Sequence, residues 1–266
     1  MSNEQFPQLV SPHIKRFKLL IALALTLAVS ILVFENKTAV LAFVGVSVNE
    51  LPIYSVETTE KVVSITFDSA WGVEDLDTIL EILAKHNCVA TFFVEGNWAK
   101  NYPDAIKKIA DGGHLIGNHG ANHKHMTKLN EAQMLAEIQG CHDIIKVQTG
   151  IDMTLFRPPY GDYNEAVVES AKSLGYSTIQ WDVDSLDWKD YGVESIIDTV
   201  CNHKNLKNGS IILLHNGSKY TAQALDQALT NLENQGYTFI GLDKLIFTEN
   251  YEIDHTGRQS STGLAQ

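Results

Sequence analysis

Basic residues are scarce in this chain of 266 residues: 20 Lys and Arg stand against 32 Asp and Glu, a formal net charge of −12. A surface of that sign repels phosphate backbones, which argues against a nucleic-acid partner and leaves a neutral sugar polymer open. Cysteine is scarcer still. Cys88, Cys141 and Cys201 are an odd, widely spaced set with no C-x-x-C pair, so a disulfide framework is not expected and all three read as core packing. No G-x-G-x-x-G follows a candidate strand and no G-x-x-x-x-G-K-[ST] occurs, which removes the sequence support for a nucleotide cofactor. What is present is ordinary for a globular protein: 44% hydrophobic and 20% charged residues, so disorder is not the default.

Long apolar runs are missing except near the start. Lys15, Arg16 and Lys18 precede an uncharged run from Leu19 to Phe34. As a helix it reaches about 24 Å, slightly short of a hydrocarbon core of about 30 Å. The basic residues place the N-terminus inside and the remainder outside. The nearest small-x-small site, Ala28-Val29-Ser30, lies inside the run. An uncleaved signal anchor is therefore favoured over a cleaved signal peptide. The expected organisation is a cytoplasmic tail (1–18), a transmembrane anchor (19–34), a stalk or lead-in (35–60), a domain (61–248) and a disordered polar tail (249–266). The expected location is the cell membrane, single-pass, with the domain extracytoplasmic.

From Lys61 onward, short β-branched runs alternate with amphipathic stretches. The runs are Val62–Phe67, Val89–Val94, Leu115–Gly117, Thr154–Phe156, Ser177–Trp181, Ile211–Leu214 and Tyr237–Ile240. Between them, Leu76, Ile79, Leu80 and Leu83 recur at helical spacing, as do Met134, Leu135, Ile138 and Ile145. Asn130, with Glu131 and Gln133 behind it, makes a helix start, and Gly175 and Gly236 punctuate helix-to-strand junctions. This alternation predicts an α/β fold with parallel strands, either a (β/α) barrel or an open doubly wound sheet.

The chemistry gathers where the runs end. The first runs into Asp68, the third into Asn118 and His119, the fourth into Arg157, the fifth into Asp182 and Asp184, and the sixth into His215. In a parallel barrel these ends share one face, where active sites are built. His119 and His123 stand four apart, so both imidazoles can reach one metal, with His125 as a decoy. Pro158 and Pro159 stiffen the next segment and carry no N–H, which leaves the Tyr160 N–H as a fixed donor suited to an oxyanion.

These residues resemble the motifs of the polysaccharide deacetylases, carbohydrate esterase family 4. Thr66-Phe67-Asp68-Ser69 is similar to the first motif, His119-x-x-x-His123 to the second and Arg157-Pro158-Pro159-Tyr160 to the third. Asp184-Ser185-Leu186-Asp187-Trp188 is similar to the fourth, and Leu213-Leu214-His215-Asn216 to the fifth. The membrane-anchored peptidoglycan and chitooligosaccharide deacetylases of Gram-positive cell-wall and sporulation biology are similar in form. The resemblance implies a distorted, incomplete (β/α) barrel of about seven parallel strands and removal of N-acetyl groups from an N-acetylated glycan. It implies a divalent metal, zinc most often, on His119 and His123. Asp68 would be the base, His215 the acid, Arg157 the partner of Asp68 and Asp184 the partner of His215. Tyr160 would bind the oxyanion, while Leu213 and Trp188 line the acetyl pocket beside Pro158.

One position departs from the pattern. The family's third metal ligand is an Asp, and here it is Ser69, a far weaker donor. Asp75 and Glu95 are nominal substitutes. The alternative that follows is an anchored glycan-binding protein without turnover. Against it, a pure binder has no need of the acid–base set. An O-deacetylase, a small-amide hydrolase and a ligand-free envelope component are further readings, the last opposed by the clustered strand ends.

Overall fold

The computed structural model describes residues 51–263. The expected cytoplasmic tail, the anchor and most of the stalk lie outside the described residues. No helix among the described residues is long and apolar enough to cross a membrane.

All seven apolar runs form strands. In chain order the strands are β1 (Ser55–Val56), β2 (Val62–Ser69), β3 (Thr91–Val94), β4 (Leu115–Asn118), β5 (Leu155–Phe156), β6 (Ser177–Thr178), β7 (Val183–Asp184), β8 (Ser210–His215), β9 (Thr238–Phe239), β10 (Tyr251–Ile253) and β11 (Arg258–Ser261). The helices are α1 (Leu76–Lys85), α2 (Gly96–Asn101), α3 (Pro103–Asp111), α4 (Glu131–Thr149), α5 (Glu165–Ser173), α6 (Val193–Asn202), α7 (Thr221–Asn234) and α8 (Leu242–Leu245). The main path of the sheet runs β10-β11-β1-β8-β2-β3-β4-β5-β6, with β7 beside β8 and β9 beside β2. Every pairing among β2 to β9 is parallel. Ile53 pairs with Ile179 just past β6, while Ser55 pairs antiparallel with Ser210 of β8. One short segment thus links both flanks of the curled sheet, which is the expected distorted barrel.

β2 is buried along its whole length, as a strand covered on both faces must be. Its helix-facing residues Val63, Ile65 and Phe67 join Leu76, Ile79 and Leu83 of α1 in the main core. Phe67 and Phe92 stack at 4.9 Å. α4 opens on the anticipated cap: Asn130 accepts from the Gln133 N–H, and the Gln133 side chain returns the bond. Gly175 and Gly236 take φ +80° and +90°, conformations that spare a Cβ clash only for glycine. The three cysteines are buried and free.

Residues 53–56, within the expected stalk or lead-in, belong to the sheet. The polar stretch after Glu249 is not disordered. β10 and β11 form an antiparallel hairpin, and β11 lies parallel to β1, with Arg258 opposite Ser55 and Gln259 opposite Val56. Gln259 is fully buried, accepts from the Phe247 N–H at 2.9 Å and donates to the Phe247 carbonyl at 2.7 Å. Backbone pairing, the buried Gln259 amide, Arg258 donating to the Ser55 hydroxyl and the Asn208 carbonyl, and the packing of Ile253 hold this hairpin. A single apolar residue leaves no hydrophobic pattern to read.

Candidate active site

Parallel pairing places the strand ends together. Asp68 at the end of β2 stands in register with His215 at the end of β8. His119 follows β4, and Arg157 follows β5. Arg157 is wholly buried. Its Nη1 donates to Asp68 Oδ1 at 2.8 Å and its Nη2 to the Gln180 carbonyl at 3.1 Å. The guanidinium lies 4.1 Å from the centre of the Phe93 ring. Burial pushes the Asp68 carboxyl up, but Arg157, then His119 and His215, outweigh it and hold Asp68 below the usual carboxylate range.

His119 Nδ1 lies 2.8 Å from the Arg157 carbonyl. A carbonyl only accepts, so Nδ1 carries the proton and Nε2 presents its lone pair. Burial lowers the His119 pKa, which keeps the ring neutral. Its Nε2 approaches Asp68 Oδ2 at 3.5 Å. With a neutral imidazole this is no ion pair but two acceptors face to face, which only a cation or a donated proton satisfies. His123 stands 5.0 Å from His119, ring to ring, and burial first, then His119, pushes its pKa down to about 4. Next to Asp68 in the chain, the Ser69 hydroxyl is buried without a hydrogen-bond partner.

The two nominal substitutes for the missing carboxylate hold backbone N–H groups. Asp75 accepts from the Gly217 N–H through Oδ1, its Oδ2 being buried without a partner, and Glu95 caps α2 through the Trp98 N–H. Among the described residues no group of three His, Cys, Asp or Glu converges as a metal site. The donors present fit a divalent metal as a two-histidine pair: both rings are neutral, one tautomer is fixed by a backbone carbonyl, and Nε2 faces an anion.

His215 behaves oppositely. Burial pushes its imidazole down, but Asp187, then Asp68 and Asp184, raise it above the ordinary value. The carboxylate on His215 is Asp187, not Asp184 as expected. Asp187 Oδ1 meets His215 Nδ1 at 2.8 Å, and its Oδ2 accepts from the His215 N–H at 2.7 Å and the Thr221 hydroxyl at 2.6 Å. Asp184 accepts instead from the Leu186 N–H at 2.9 Å and shapes the turn. The cause is that turn: Leu186 takes φ +56°, and the following 3-10 turn, Asp187–Lys189, delivers the second Asp of the motif to β8.

Tyr160 also has positive φ, +62°. Its exposed ring packs edge-on to His123 at 4.5 Å and stacks on His125 at 4.1 Å, so the suspected decoy buttresses Tyr160. Pro158 is buried beside Arg157 in the chain, Leu213 is buried on β8 between Thr66 and Asp184, and Trp188 is exposed. Sequence reasoning missed Asp187 and Trp71. Trp71 is half-exposed and stacks on His215 at 4.9 Å. Its signal is its place three residues after Asp68.

Comparison with known proteins agrees with this geometry. The family model described as polysaccharide deacetylase matches residues 55–179. The peptidoglycan-N-acetylmuramic acid deacetylase PdaA of Bacillus subtilis is 36% identical over 75% of this chain and 77% of its own length. The solved structure of PdaA superposes with a TM-score of 0.68, covering 73% of this chain and 84% of that one. A CE4 family pseudoenzyme from Bacillus anthracis gives 0.70 at 35% identity, over 73% of this chain and 68% of that one. A mutant of that pseudoenzyme with restored enzymatic activity aligns equally well, at 0.70 and 36% identity. With Asp68, His119, Arg157 and His215 gathered at the strand ends, this chain belongs to the polysaccharide deacetylases, carbohydrate esterase family 4.

Proposed function

We propose that this protein is a hydrolase that removes N-acetyl groups from peptidoglycan or a chitin-like glycan. The observation that carries the reading is the opposed pair at the sheet's end. Arg157 favours ionised Asp68 on β2, and Asp187 favours protonated His215 in register with it on β8. Environments that push two neighbouring groups apart in pKa assign a base and an acid.

His119 and His123 would hold a divalent metal, zinc by its preference for imidazole, which polarises the acetamide oxygen and acidifies water. Asp68 takes the proton of the attacking water on Oδ2, since Arg157 occupies Oδ1. The Tyr160 N–H donates to the carbonyl oxygen as the carbon becomes tetrahedral. His215, its Nδ1 held by Asp187, gives a proton from Nε2 to the sugar nitrogen. The C–N bond breaks, leaving acetate and a free amine. Leu213, Pro158 and Trp188 border the acetyl methyl in this reading.

Ser69 favours one second reading, a glycan-binding protein with little turnover, because a hydroxyl replaces a carboxylate donor. Acetate release from N-acetylated chitooligosaccharide and peptidoglycan, with zinc and after chelation, separates the two. Metal-dependent release lost in Asp68→Asn supports the hydrolase. Glycan binding without release from either substrate supports the binder. We also infer an extracytoplasmic domain tethered through residues 19–34, supported by Lys15, Arg16 and Lys18 before the apolar run. A cell wall in a sporulating Gram-positive bacterium suits that placement. Protease added to intact protoplasts should remove the domain, and its protection would refute the topology.

A further inference from the structure

The segment that carries both imidazoles is gripped from two sides. On one, the Gly96 N–H donates to the Gly120 carbonyl at 2.9 Å and the Asn97 N–H to the Ala121 carbonyl at 3.1 Å. On the other lies α4, so close that a Cβ added at Gly140 would sit 3.2 Å from that of Ala121. From α4 a single carboxylate reaches into the segment. Glu137 Oε2 accepts from the Asn122 N–H at 2.8 Å, and Oε1 accepts from Asn122 Nδ2 at 2.8 Å and Lys124 Nζ at 2.9 Å. These are the residues on either side of His123.

His123 needs such a hold. Its φ is +52°, a left-handed conformation that is unfavourable for a non-glycine residue. Strained backbone persists only where its surroundings over-determine it. Glu137 occupies the face of α4 that also buries Met134, Ile138, Cys141 and Ile145. It is only 3% exposed. A carboxylate there is expensive unless its lone pairs are used, and an aliphatic side chain would serve the core better. Its oxygens are used on the two neighbours of one histidine.

We propose that Glu137 is a positioning residue for the metal pair: by binding Asn122 and Lys124 it fixes His123 in the conformation that turns its imidazole toward His119. The inference rests on reading His119 and His123 as metal ligands. A purely structural Glu137 would change melting temperature and leave the metal affinity of the folded protein alone.

The test measures zinc affinity against a chromophoric chelator, together with the visible spectrum of the cobalt-loaded protein, on the full chain. Glu137→Gln keeps the volume and removes the charge. It should weaken zinc by about tenfold or more, the range expected of outer-shell groups, and alter the cobalt bands. Asn122→Ala removes one contact and leaves α4 untouched, so it decides the matter should Glu137→Gln not fold. It should weaken zinc in the same direction by less. Zinc binding by the native chain with both variants unchanged overturns the role of Glu137 alone. No zinc binding by the native chain overturns the metal reading and this inference with it.

Discussion

Asp184 and Asp187 stand three apart in one short motif, and only the turn between them decides which meets His215. The sequence shows two equivalent carboxylates; the positive φ of Leu186 is a tertiary outcome that no spacing rule supplies. The choice has a kinetic consequence. His215 must be protonated to donate, so activity falls as pH rises through its pKa. In Asp187→Asn the amide no longer favours the imidazolium, and the alkaline limb of kcat/KM should move acidward by about one unit or more. In Asp184→Asn, which acts on His215 only at a distance, the limb should move less. Equal shifts would return the role to Asp184. Ser69 is the second informative residue. Its hydroxyl is buried and unpartnered, and it follows Asp68 at the end of β2, so Ser69→Asp tests whether a carboxylate there completes the two-histidine set. Zinc should then bind more tightly, by more than the ~10-fold typical of an outer-shell group, and acetate release should rise. Unchanged zinc affinity would mean that position 69 does not face the metal.

The elements best read in advance were those with an unbroken apolar signal. β2, α1 and α4 announced themselves through Val62–Phe67, through Leu76, Ile79 and Leu83, and through the Asn130 cap. β1, β7 and the β10–β11 hairpin did not, because short strands held by backbone pairing carry no periodicity. Their contribution is still testable. β11 covers the edge of β1, and β1 meets β8 at Ser210, the end opposite His215. Truncation after Thr248 should therefore lower the melting temperature by about 5 °C or more, as the loss of a couple of kcal/mol does in a domain of this size. Amide exchange around Ile53–Val56 should quicken. Well below the new melting point kcat should change little, since the strand ends that carry the site are not those the hairpin covers. An equal loss of kcat at low temperature would show that the hairpin reaches the site.

For the whole molecule, the buried ionisable groups set a direction for stability against pH. His119 and His123 are held neutral in the folded state, His123 at about 4 against an ordinary 6.5, and His114 is shifted the same way by burial. Between those values the unfolded chain binds protons that the folded chain refuses. Their contribution is thus present near neutral pH and lost as pH falls from about 6.5 toward 4. Asp68 acts in the same sense lower down, its stabilisation lost as pH falls through its depressed folded value. His215 opposes them: its raised pKa favours the folded state in acid, and that contribution fades as pH rises through it. His203 is depressed in the same way, while Asp182, pushed up to about 6 by burial, opposes them as His215 does, so the contribution of the imidazoles is the part of the change in melting temperature between pH 7 and pH 5 that a variant without them loses. Zinc needs the same neutral rings, so its stabilisation should be largest near pH 7 and shrink across that interval. The assignment can be isolated with His123→Gln, which keeps a polar side chain but cannot titrate. It should flatten the acid slope of the metal-free protein and weaken the rise in melting temperature on adding zinc. A slope and a zinc response both unchanged by that variant would place the acid sensitivity, and the metal, elsewhere in the fold.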